Sequence, residues 1–93
     1  MNLEWTSKAE SDLHRLYDFL VRVNPKVAHS IIQQLVAAAG TLLDHPRLGS
    51  RLTEFTLHEV RRIIVGDYEL RYLINDDSIT VLRMWHVRED RYS

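Results

Sequence analysis

Cysteine is absent from the 93 residues, so no disulfide can staple the chain and no thiolate is on offer for a metal. That absence favours a reducing, cytoplasmic setting. Nothing approaches the roughly 20 apolar residues that a membrane-spanning helix needs, and no basic segment precedes a long apolar run at the start, so neither a membrane span nor a secretory leader is expected. Glycine and proline are scarce, at 3 and 2 residues, which leaves few natural breaks between elements. A positive excess is missing too, since 12 basic and 13 acidic residues leave a net charge of -1. Domains that bind ribosomes or DNA unaided usually carry a basic excess, and direct DNA binding by this chain alone is therefore not expected. Lysine is missing from the second half. Residues 47–93 carry eight arginines against eight acids, whereas residues 1–46 hold Lys8, Arg15, Arg22 and Lys26 against five acids.

What is present is ordinary for a folded protein, with 45% apolar and 27% charged residues. The length suits one domain, taken as residues 1–93, with a single core. Arginine without lysine suits planar, bidentate recognition of carboxylates or phosphates better than diffuse attraction to a polyanion. The competing expectation is that arginines on a small sheet pair with nearby Glu and Asp.

Met1 to Thr6 alternates apolar and polar residues and reads as a short strand with Met1, Leu3 and Trp5 inward. Ser7 followed by Glu10 forms a capping-box pattern at the start of a helix. Ala9, Leu13, Leu16, Tyr17 and Leu20 then recur at helical spacing, with Lys8, Asp12, Arg15 and Arg22 placed away from that stripe. The helix ends near Val23. Asn24 as N-cap and Pro25 at the first helical position open a second helix, whose stripe runs through Ala28, Ile31, Ile32, Leu35, Ala38, Ala39, Leu42 and Leu43 and fades at Asp44. The short link implies an antiparallel hairpin. Residues 45–55 read as an irregular loop broken by Pro46 and Gly49.

From His58 to His86 the pattern changes to β-branched and aromatic residues punctuated by Val65-Gly66-Asp67 and Asn75-Asp76-Asp77-Ser78, an antiparallel meander of three strands. Alternation places Ile79, Val81, Arg83 and Trp85 on one face of the last strand and Thr80, Leu82, Met84 and His86 on the other. The polar tail from Glu89 to Ser93 follows. The expected class is α+β: an N-terminal strand, a helical hairpin and a three-stranded meander (β-α-α-β-β-β), forming one sheet covered by the helices.

This order resembles the toxins of the RelE/ParE superfamily, the toxin halves of type II toxin–antitoxin pairs. The resemblance rests on Trp5 with Ala9 and Asp12-Leu13, on Asn24-Pro25 with Ala28, and on Leu43-x-x-Pro46-x-x-Gly49. It continues through Val60-Arg61-Arg62-x-x-Val65-x-x-Tyr68-x-Leu70-x-Tyr72 and closes with Val81-Leu82-Arg83-x-x-His86-x-Arg88-x-Asp90. It implies a cognate antitoxin as partner, no cofactor and a role in growth inhibition or plasmid stabilisation. ParE-like members act on DNA gyrase, whereas RelE-like members are ribosome-dependent endoribonucleases. The motifs lie closer to the ParE branch. RelE-like enzymes carry lysines on the first meander strand and an arginine on the second, where this chain has Arg61, Arg62 and Glu69. A carboxylate there opposes the charge that builds on a phosphate in the transition state.

The residues expected to bind target or antitoxin are Arg61, Arg62, Arg71, Arg83, His86, Arg88 and Arg91. Under the nuclease alternative, Arg62, His86, Arg88 and Tyr92 would supply cation, base and acid, since an imidazole serves either role near neutrality. A scaffold that binds its antitoxin without being toxic is the third alternative. His14, His29, His45 and His58 are spaced for no metal site, and none is expected. Trp5 and Trp85 are assigned to the core.

Overall fold

The computed structural model describes residues 1–89; the expectations for Arg91 and Tyr92 lie outside the described residues. The elements in order are β1 (Asn2–Trp5), α1 (Ser7–Val23), α2 (Pro25–Thr41), β2 (Ser50–Arg51), β3 (Glu59–Val65), β4 (Tyr68–Ile74) and β5 (Ser78–His86). The sheet runs β1-β5-β4-β3-β2, with β1 parallel to β5 and the other pairs antiparallel. The α+β class and the helical hairpin over a sheet are thus as expected. The two-residue β2 is an addition within the presumed loop.

Local chemistry explains the helix starts. Asn24 caps α2 as anticipated, its side chain accepting from the amides of Lys26 and Val27. For α1 the cap is Thr6 and not Ser7: the Thr6 hydroxyl accepts from Ala9 N at 3.0 Å and donates to the Leu82 carbonyl at 2.8 Å. That second bond links the start of α1 to β5, a tie that no local capping pattern contains.

The core lies between the hairpin and one face of the sheet. Leu16, Leu35, Ala39 and Leu42 pack there with Tyr68, Leu70, Tyr72, Ile79, Val81 and Met84. Each fully buried Leu or Ile contributes about 1.5–3 kcal/mol of transfer free energy. The tight connection between β3 and β4 works because Gly66 has φ 61, a left-handed conformation open to glycine.

The last strand departs from simple alternation. Arg71 pairs with Arg83 and Tyr72 with Val81, so Leu82 is an extra residue, a β-bulge. The bulge swaps the faces beyond it. Ile79, Val81, Met84 and His86 face the helices with Tyr68, Leu70 and Tyr72, while Arg83 and Trp85 join Glu69 and Arg71 on the other face. Strict alternation had grouped Val81 with Arg83 and Trp85. Trp85 is buried, 7% exposed, but against arginines on the outer face and not in the helix-covered core.

Tyr72, fully buried, explains the Pro46-to-Gly49 spacing. Its hydroxyl donates to Pro46 O at 2.7 Å and accepts from Gly49 N at 2.9 Å, fastening the post-helical loop to the sheet. Gly49 itself is required by close approach, since a Cβ there would sit 2.4 Å from Arg62 O. Tyr72→Phe is predicted to cost about 1–3 kcal/mol, because it orphans the Gly49 amide. Urea unfolding should show a lower midpoint at unchanged slope; an unaltered midpoint would remove the loop-fastening role.

Candidate functional site

The expected site residues fall into three places. Arg62, Arg71 and Arg83 stand in one cross-strand row on the outer face of β3, β4 and β5. Like charges directly opposite are destabilising, so the row needs counter-charge. Glu69, 3% exposed, provides it: Arg71 Nε donates at 2.9 Å and Arg62 Nη1 at 3.3 Å. Trp85 adds a π face to Arg71 and Arg83, with guanidinium carbons 5.1 and 5.5 Å from its ring centroid.

Arg61 does not belong to this row. It sits on the helix side, donating to Glu59 at 2.8 Å and to Gly49 O at 2.7 Å, and its side chain is only 17% exposed. Glu59 also takes Arg47 at 2.9 Å, and hydrogen bonds from Arg61 and then Arg47 hold its carboxyl below the usual range. Arg61 therefore braces the loop, with little of its side chain exposed.

His86 and Arg88 occupy a third place, at the end of β5. The His86 ring meets Tyr68 edge-on at 5.3 Å, and its Nδ1 accepts from Arg88 N at 3.1 Å, leaving Nε2 as the donor. His86 N donates to Glu89 Oε1 at 2.7 Å and Glu89 N returns a bond to His86 O, forming a compact turn. Arg15 of α1 pairs with the other Glu89 oxygen. Between α1 and this turn lies a cleft of about 410 Å³, lined by Arg15, Leu16 and Phe19 of α1, Tyr68 of β4, and His86 and Arg88. Burial pushes the Tyr68 phenol up, and the carboxylates of Asp67 and Glu89 add to that.

Asp12, expected on the solvent side of α1, links the arginine row to the end of β5. It is 4% exposed. β1 stops pairing at Val81, and Asp12 Oδ2 takes the Met84 amide beyond it at 3.0 Å. Arg83 donates to both carboxylate oxygens, at 2.8 and 3.2 Å, and Arg15 Nη2 lies 3.2 Å from Oδ1. Burial alone would raise the carboxyl; the bonds from Arg83, Met84 and Arg15 outweigh it and hold it below its ordinary value. The same pair holds the Arg83 guanidinium above its ordinary range. The sequence held one signal for this position: Asp12 follows Ala9 by three residues and precedes Leu16 by four, on the buried stripe. Arg15, Phe19 and Tyr68 are further cleft residues that the sequence did not single out; Tyr68 lies in the Val60-to-Tyr72 motif, and no motif marks Arg15 or Phe19.

The structure thus brings Arg62 together with Arg71 and Arg83, and His86 together with Arg88, but puts the two groups on different sides of the sheet. Among the described residues there is no cluster of three or more His, Asp or Glu placed to hold a metal, and no helix is long and apolar enough to cross a membrane.

A helical hairpin on a mixed sheet, with an arginine row and a histidine-bearing strand end, defines a small toxin of the superfamily anticipated above. Residues 3–91 match the family described as "ParE toxin of type II toxin-antitoxin system, parDE", and the chain belongs to that family. Toxin RelE2 of Caulobacter vibrioides is 32% identical over 82 residues, spanning 88% of this chain and 90% of the relative. A solved structure described as "Chromosomal ParDE TA system from P. aeruginosa" superposes with a TM-score of 0.75 at 25% identity, covering 92% of this chain and 95% of that one.

The Asp12 clasp has a pH signature. A carboxyl held below its unfolded value stabilises the fold at neutral pH and loses that contribution as pH falls through its folded value, in the acid range. Asp12→Asn should cost about 1–3 kcal/mol near pH 7, nearer the lower end because Arg83 keeps access to water. It should also flatten the acid limb of the stability curve. Equal stability of the two proteins at pH 7 in urea titrations would contradict the clasp.

Proposed function

We propose that this ParE-family toxin inhibits DNA gyrase by protein–protein contact and is neutralised by a cognate antitoxin in the cytoplasm, with residues 1–93 acting as one toxin domain. The observation that carries this reading is the separation of Arg62 from His86 and Arg88. Cleavage of RNA by attack of a 2′-hydroxyl needs a base, an acid and a phosphate-binding cation around one phosphate. Here Arg62 is bound to the buried Glu69 on the outer face, while His86 faces Tyr68 on the helix side. Glu69, beside the arginine row on β4, also opposes an incoming phosphate. A net charge of -1 supports contact with a protein over capture of a polyanion.

The row suits a carboxylate-bearing partner. Arg71 engages Glu69 through Nε, and Arg62 does so through one terminal nitrogen, which leaves guanidinium N–H groups for an acidic segment. We assign the row to the antitoxin and the end of β5, with His86 and Arg88, to the target. On this assignment the toxin needs no cofactor, and promoter binding by the pair runs through the antitoxin.

Purified toxin should inhibit supercoiling by gyrase, and added antitoxin should restore it. Primer extension on a translated message should show no toxin-dependent cuts. Clear cuts without gyrase inhibition would establish the nuclease alternative. Unimpaired growth on expression without antitoxin, with neither activity, would leave an antitoxin-binding scaffold.

A further inference from the structure

The cleft beneath α1 presents apolar surface to solvent. Phe19 is 64% exposed at its lip, one turn beyond Arg15, and Leu16 and Tyr68 line its interior. An exposed phenylalanine forgoes about 1.5–3 kcal/mol of burial that a partner could supply. A volume of about 410 Å³ lies within the range of specific binding sites, which are mostly apolar with a few fixed polar groups. Those groups are fixed here. Arg15 is held by Glu89 and Asp12, and the His86 ring by the Arg88 amide.

Charge narrows the occupant. Arg15 is already neutralised, whereas Arg88 is exposed and makes no ion pair among the described residues. The Glu89 carboxylate in the lining disfavours a phosphate. We propose that the cleft is a socket for one aromatic or large aliphatic side chain of gyrase, flanked in the gyrase sequence by a carboxylate that pairs with Arg88. The proposal rests on the gyrase reading above and deepens it by naming the anchor and adding Phe19, Tyr68 and Leu16 to the contact. Interfaces commonly concentrate their energy in such an arrangement, a buried anchor beside an arginine, with surrounding contacts that exclude water.

The test uses the full-length toxin, purified gyrase, and the variants Phe19→Asp and Arg88→Glu. Both side chains are exposed, so thermal melts should match the wild type. Each variant should raise the Kd for gyrase tenfold or more and weaken supercoiling inhibition in proportion. Val36→Asp, exposed on α2 and outside the cleft, serves as the control and should leave inhibition unchanged. Correctly folded Phe19→Asp and Arg88→Glu proteins that inhibit like the wild type would overturn the socket. Loss of antitoxin binding with gyrase binding intact would overturn it in favour of the antitoxin as occupant. A wild-type toxin that fails to bind gyrase would defeat the gyrase reading itself, a result distinct from either.

Discussion

Asp12 carries a buried carboxylate from α1 to the stretch of β5 where β1 no longer pairs, and there it accepts the Met84 amide and two bonds from Arg83. An edge amide left bare would cost the fold, and so would an unpaired buried carboxylate; each satisfies the other. The Arg15 guanidinium extends the arrangement to Glu89, whose second oxygen holds the His86 amide. One connected set of charges therefore fixes the helix on the sheet, aims Arg83 and shapes the turn after β5. Networks of this kind specify a geometry more than they add stability, because desolvation offsets much of their attraction.

The bulge at Leu82 has a comparable effect on the outer face. By inserting one residue it turns Met84 into the core and moves Arg83 and Trp85 outward, which completes the row with Arg62 and Arg71. Glu69 makes that row tolerable in the free protein. The same carboxylate makes the row a poor phosphate site, which supports the proposed use of this partly exposed line of arginines as a protein-binding surface. His86 and Arg88 are left on the helix side, beside an apolar cleft that the toxin itself does not fill.

Much of this was legible in the sequence because it depended on local chemistry. Asn24-Pro25 marked the second helix, Gly66 the hairpin between β3 and β4, and the change from helical to strand-like composition near His58 the start of the meander. The ordered motifs pointed to the ParE family. Two of the differences depend on partners far along the chain. Asp12 looked solvent-facing because its ligand Arg83 lies 71 residues away. Thr6 and not Ser7 caps α1 because Leu82 O, 76 residues away, takes the Thr6 hydroxyl. A bulge leaves no mark in a strand of apolar and basic residues, so the face of Trp85 was misread. Arg61 and Arg62 are neighbours in sequence, yet alternation gives one to the loop and the other to the outer face. Arginine count alone cannot separate those roles.

Amide hydrogen exchange on the wild type and on Asp12→Asn, read beside a gyrase supercoiling assay, tests most directly whether the Asp12 network shapes the surface proposed to meet the target. Residues 84–89 should exchange faster in the variant while β3 and β4 stay protected, and inhibition should fall with that local loosening. Loosened exchange at the end of β5 with full gyrase inhibition would contradict the link between the buried carboxylate and the working edge.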